Sequence, residues 1–145
     1  MYEIWRKQAV NELEMYEARK LAVVNISDQL RELEESFTGI RSPSADSACV
    51  KGGGRRKDEA YLNNIVTRDA LKDNLKEARR SVRRVSAALG CLSEDEREIL
   101  ERFYIKPEKG VAFNMADELA VDRKTVYYRK DAALRKFTIA MFNGV

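Results

Sequence analysis

The sequence of 145 residues contains no histidine. The side chain that most often ligates metals and titrates near neutrality is therefore missing. Ser-His-Asp and Cys-His catalysis, HExxH zinc sites and His-ligated haem are excluded with it. Cysteine is nearly absent too. Cys49 and Cys91 form neither a CxxC pair nor a disulfide framework, and read as free thiols in a reducing cytoplasm. No apolar run approaches the roughly 20 residues that span a bilayer. The opening Met1-Tyr2-Glu3-Ile4-Trp5-Arg6 lacks the basic start and apolar centre of a signal peptide. A cytoplasmic protein without a membrane partner is expected. Two Pro and seven Gly beside 35% charged residues point to long helices with charged surfaces.

The net charge of +3 hides a segregated distribution. Residues 1–50 carry 6 basic and 9 acidic side chains, and residues 51–92 carry 11 and 5. Residues 93–122 carry 4 and 9, and residues 123–145 carry 6 and 1. Two acidic blocks thus alternate with two basic ones, an asymmetry that bears on partners rather than on fold.

Hydrophobic spacing predicts one helix over residues 2–38. Val23, Ile26, Leu30, Leu33, Phe37 and Ile40 step by three or four, extending back through Tyr16, Ala9 and Trp5, as in a coiled-coil or long-bundle helix. Gly39, Ser42, Pro43, Ser44, Ser47 and Gly52-Gly53-Gly54 interrupt it with a flexible loop at about 39–58. A second helix is expected over 59–90, with Leu71, Leu75, Ala78, Val82, Val85, Leu89 and Leu92 in phase and Gly90 as its cap. The two helices, opposite in charge, are expected to pair antiparallel, within one chain or between the chains of a dimer.

Ser93-Glu94-Asp95-Glu96 is a capping box that starts a shorter helix bearing Ile99, Leu100, Phe103 and Tyr104. Pro107 and Gly110 end it. A short helix over about 111–120 follows, then a final helix over about 123–142 with Asp122 as N-cap. The last pair has helix-turn-helix spacing. Ala116 is the small crossing residue, Ala120 opens the turn in place of the usual Gly and with a slightly altered turn, Val121 plugs the core and Val126 anchors the second helix. Arg129 occupies a position where an apolar residue is common, so its stem must lie along the packing surface. With Val126 inward, Arg123, Lys124, Thr125, Tyr127, Tyr128 and Lys130 project from the N-terminal half, which a recognition helix presents to the major groove. Their chemistry suits phosphates, guanine edges and thymine methyls. Arg135 and Lys136 suit backbone contacts further along.

The fold expected is all-α: a long antiparallel, coiled-coil-like hairpin over 1–92, then a small helix-turn-helix domain over 93–145. The second part resembles region 4 of sigma-70-type factors. An acid- and leucine-rich support helix, Leu92 to Tyr104, leads into Ala120-Val121-Asp122-Arg123-Lys124-Thr125-Val126-Tyr127-Tyr128 and ends Ala133-Leu134-Arg135-Lys136-Phe137. Carried over position by position, promoter contacts fall on Arg123, Lys124, Tyr127 and Tyr128, the last two aromatic where the family has polar or basic residues. The whole chain is similar to phage and prophage late-operon regulators of the ArpU and RinA type. Val50 to Arg56, Leu62 to Val66, Leu71 to Leu75 and Glu101 to Ile105 carry this likeness. The resemblance implies DNA-binding control of phage transcription, with double-stranded DNA as the partner. The long hairpin is expected to supply homodimerisation or contact with RNA polymerase.

Other features compete with that reading. Lys51-Gly52-Gly53-Gly54-Arg55-Arg56-Lys57 is a solvated linker or a DNA-backbone arm; it lacks the spacing of a phosphate-binding P-loop. Arg79, Arg80, Arg83 and Arg84 form a solvated face, a partner for the acidic first helix, or a further DNA- or polymerase-facing patch. Glu94, Asp95, Glu96 and Glu98 are better explained by the helix dipole than by Mg²⁺. No enzyme, metal or cofactor is expected. The alternative function is a helical interaction protein, such as a phage assembly factor or adaptor.

Overall fold

Helical spacing and scarce breakers yield an all-helical chain. The computed structural model describes residues 1–40 and 54–143, with no strand among them. The elements are α1 (Tyr2–Glu14), α2 (Tyr16–Ile40), α3 (Gly54–Gly90), α4 (Glu94–Leu100), a π-helical turn (Glu101–Ile105), α5 (Val111–Leu119) and α6 (Arg123–Phe142). The single helix expected over 2–38 is divided at Met15, yet backbone bonding continues across the joint. Met15 N–H donates to the Asn11 carbonyl at 3.0 Å and Arg19 N–H to the Met15 carbonyl at 2.9 Å. Helices also claim both ends of the loop expected at 39–58, since α3 already begins at Gly54. Residues 51–53 of the glycine-rich basic stretch 51–57, and Cys49, lie outside the described residues. Gly90 is no left-handed cap, because Gly110 is the glycine with positive φ among the described residues; α3 ends instead with Cys91 and Leu92 N–H groups on the Ala88 and Leu89 carbonyls.

The chain forms two compact units. Met1–Lys20 joins Arg80–Val145 in one, and Leu21–Arg79 forms the other. The physical reason lies in α1. Its Ala9 and Leu13 are completely buried, and they share one apolar core with Val85 of α3, Leu100 of α4 and Phe137 of α6. Trp5 stacks on Phe142 with ring centroids 5.0 Å apart, and Arg6 pairs with Asp131 at 3.0 Å. The first helix therefore docks on the last. Burying a side chain the size of Leu13 contributes about 1.5–3 kcal/mol, enough to fix it there.

In the other unit, Leu30 of α2 and Leu75 of α3 are buried. Phe37 meets Tyr61 edge to face at 5.3 Å, and the Arg68 guanidinium lies over the Phe37 ring at 5.5 Å.

Three local devices position α6. The capping box forms: Glu96 N–H donates to the Ser93 hydroxyl at 3.3 Å, and Ser93 N–H to the Glu96 carboxylate at 3.1 Å. Next, α5 ends in a left-handed residue, Ala120, at φ 53° and ψ 45°. Val121 N–H donates to the Ala116 carbonyl at 3.0 Å and Ala120 N–H to that of Asp117 at 3.3 Å, which is the Schellman pattern. Ala120 thus takes the conformation a glycine would take, and no altered turn is needed. It does so at a cost of about 1 kcal/mol. Finally, Asp122 starts α6 through its backbone and not its carboxylate. Its carbonyl accepts from Thr125 and Val126 N–H at 3.0 and 3.2 Å, and its side chain makes no capping bond.

Candidate nucleic-acid interface

Helical geometry sorts the residues of α6 by direction. Val126, Ala133, Leu134 and Phe137 are fully buried and fix the inward face. The six residues singled out from sequence then fall on three faces. Lys124 and Tyr128 form the outermost ridge, and Tyr128 is 77% exposed. Arg123, Tyr127 and Lys130 follow one flank, and Thr125 lies on the other with Arg129. Arg123 and Lys124 are exposed and Thr125 is half-buried.

Lys130 is not the free cation that spacing alone suggests. Its side chain is only 15% exposed. The ammonium lies 5.5 Å from the Phe103 ring centre and 5.3 Å from that of Tyr127, and 3.4 Å from Asp131. Phe103 and Tyr127 themselves meet edge-on at 6.0 Å. Phe103 belongs to the π-helical turn. Lys106 N–H donates to the Glu101 carbonyl, one residue beyond the α-helical partner, at 2.8 Å, which turns the following side chains relative to α4. Lys130 therefore steadies Tyr127 through cation–π contact. Arg135 and Lys136 are engaged as well. The Arg135 guanidinium lies over the Tyr2 ring at 5.9 Å, and Lys136 pairs with Glu96.

The opposite flank of α6 meets α4 and α5 around an acidic cleft. Asp95, Glu98, Arg102, Glu118 and Arg129 are among its lining residues, with Ile99 and Met115 on its apolar side. Arg129 is exposed at this cleft. Arg102, 18% exposed, ties this region together. Its Nε donates to Glu108 at 2.8 Å, and its two terminal nitrogens grip Glu118 at 2.8 and 3.1 Å. These bonds hold the Arg102 proton more firmly than usual, chiefly through Glu118 and then Glu108. Arg102 in turn holds the Glu108 and Glu118 carboxyls below the usual range. Glu96 is lowered mainly by Lys136, then by the Ser93 backbone N–H.

The sign of the pH effect follows. A carboxylate depressed on folding contributes stability that is complete above its unfolded value and lost as pH falls through the folded one. With the ordinary glutamate value at 4.5, stability is expected to hold above that pH and to decline progressively below it. Urea midpoints between neutrality and pH 3 will reveal the decline. Arg102→Ala will lower the midpoint at pH 7 and flatten the acid decline, because Glu108 and Glu118 lose their partner. An unchanged pH profile in the variant would refute this account. The effect is modest at high salt, since the carboxylates are exposed.

Among the described residues, no group of three or more Cys, Asp or Glu converges to hold a metal ion, and no helix is long and apolar enough to cross a membrane. Cys91 is exposed. Sequence reasoning missed Arg102, Phe103, Tyr2 and Arg6. Each acts through a partner distant in sequence or through the π turn, and α-helical spacing signals neither.

No curated protein and no solved structure matches the chain. A family match does cover most of it: residues 39–138, from the end of α2 into the last turns of α6, match the family described as Protein of unknown function (DUF1492), and the chain belongs to that family.

Proposed function

We propose that this protein binds double-stranded DNA sequence-specifically and regulates phage or prophage transcription. In this reading α5, the Ala120–Asp122 turn and α6 are a helix-turn-helix of the sigma region 4 type, supported by α4. One observation carries it: Arg123, Lys124, Tyr127 and Tyr128 all stand exposed on the first turns of α6, directly after a tight left-handed turn. The C-terminal half of α6 is engaged with α1 and α4, so the first turns are the part offered to a groove. The function needs no catalytic group, metal or cofactor, and belongs in the cytoplasm. RNA polymerase is a second proposed partner.

The protein should bind duplexes from its neighbouring genes with an affinity that falls steeply with salt, as counterion release requires. Absence of duplex binding at low salt would sink the reading. It would favour the alternative, a helical adaptor or assembly factor, for which the exposed Leu62 and Val66 of α3 would be the contact surface.

A homodimer is proposed through the unit Leu21–Arg79, arranged as a long helical hairpin closed within or between chains. Leu21, Val24, Leu62 and Val66 are more than half exposed there. Light scattering at micromolar concentration should give twice the chain mass of 16.7 kDa; a strict monomer would exclude the dimer.

A further inference from the structure

The ridge of Lys124 and Tyr128 continues along α6 at helical spacing to Asp131 and Arg135, where it meets α1. Tyr2 and Arg6 of α1 face Tyr128, Asp131, Ala132 and Arg135 of α6 across a cleft of about 320 Å³. Every one of these residues belongs to the unit formed by Met1–Lys20 and Arg80–Val145. The cleft thus gathers two guanidinium groups and the Tyr2 phenol, with Tyr128 on its wall. Arg135 pairs with no carboxylate among the described residues; it lies over the Tyr2 ring. Arg6 is 34% exposed and is oriented by Asp131. That one carboxylate is shared with Lys130, 3.4 Å away, so cations outnumber the anion.

Forked guanidinium donors suit the oxygens of a phosphodiester, and a tyrosine hydroxyl complements such a set. Position favours the same ligand. At 1.5 Å per residue, Arg135 stands about 16 Å beyond Lys124 along the helix axis. The major groove is about 12 Å wide. With Lys124 in the groove, the cleft lies past its edge, where the sugar–phosphate backbone runs. Tyr2 and Arg6 precede residues 39–138, the span of the family match, so this contribution comes from a part of the chain outside it.

We propose that the α1–α6 cleft is a second, sequence-independent contact site that takes a backbone phosphate of the duplex whose groove receives α6. The proposal rests on the reading of α6 as a recognition helix. It makes α1 part of the binding surface as well as of the core.

Fluorescence anisotropy of the full chain on duplexes of unrelated sequence, with salt varied, tests it. Arg135→Ala should weaken binding about 5- to 10-fold on every duplex and reduce the magnitude of the log affinity against log salt slope by about 1. Asp131→Asn should act in the opposite direction, tightening binding about 2- to 5-fold by removing the carboxylate. Arg6→Lys should retain most of the affinity, where Arg6→Ala should not. Circular dichroism checks that each variant is folded, and should Arg135→Ala unfold, the Asp131→Asn result decides. If folded Arg135→Ala and Asp131→Asn both bind as wild type while Arg123→Ala/Lys124→Ala loses affinity, the cleft is refuted and the groove reading stands. Should the wild-type chain bind no duplex, both fall. An effect of Arg135→Ala confined to one duplex sequence would also overturn the proposal, since it would mean base reading and not phosphate contact.

Discussion

Replacing Arg123 and Lys124 together by Ala is expected to lower duplex affinity roughly 30- to 1000-fold at low salt, from a loss of about 1–2 kcal/mol for each base or phosphate contact removed. The salt slope should fall by up to about 2, because two cations no longer displace counterions. Both side chains are exposed at the start of α6 and neither takes part in its turn, so the thermal midpoint should stay close to wild type. That separation of binding from stability distinguishes an interface from a merely solvated helix end. Wild-type affinity in the double variant would rule out this face of α6 as the reading surface. Tyr128, 77% exposed on the same ridge, provides the matching specificity test. Its removal should narrow the difference between preferred and random duplexes more than it lowers affinity for both.

Leu13→Ala is expected to cost about 2–5 kcal/mol, as for other fully enclosed leucines. A domain of ordinary size has only 5–15 kcal/mol in all. The lesion lies in the first helix, yet the damage should appear in the last. Leu13 is completely buried in the core that also holds Val126 and Phe137. Trp5, the only tryptophan, stacks on Phe142, and its emission therefore reports docking of α1 on α6. In the variant, the Trp5 transition should move to lower urea, and amide hydrogen exchange along Val126–Phe137 should accelerate with it. If α6 amides keep wild-type protection while Trp5 becomes solvent-exposed, α1 detaches independently and does not support the domain.

The helices themselves were legible because each carries its cause locally. Ser93 and Glu96 are close enough in sequence to form a capping box that spacing alone identifies, and Pro107 with Gly110 marks the next break. The inward face of α6 was legible for the same reason, since Val126, Ala133, Leu134 and Phe137 repeat at helical intervals. The boundary between units was not. Trp5, Ala9 and Leu13 show the same apolar stripe whether they pack on α3, on a second copy or on α6, and periodicity names a buried face without naming its partner. Lys130 illustrates a similar limit. Its position in sequence suggests an outward cation, but Phe103, in the π turn, lies over it, and a shift of one residue in backbone bonding leaves no mark in hydrophobic spacing.

Local chemistry therefore determined that this chain is helical, that it lacks histidine-based catalysis, and that its last helix opens with a cluster of cations. Those properties depend on side-chain type and on separations of three or four residues, which a single sequence records. Tertiary structure decided which of those cations remain free. It engaged Lys130 with two rings and Lys136 with Glu96, and it left Arg123 and Lys124 exposed. Burial and long-range ion pairing arise from contacts between segments distant in the chain, so only the folded core could make that selection.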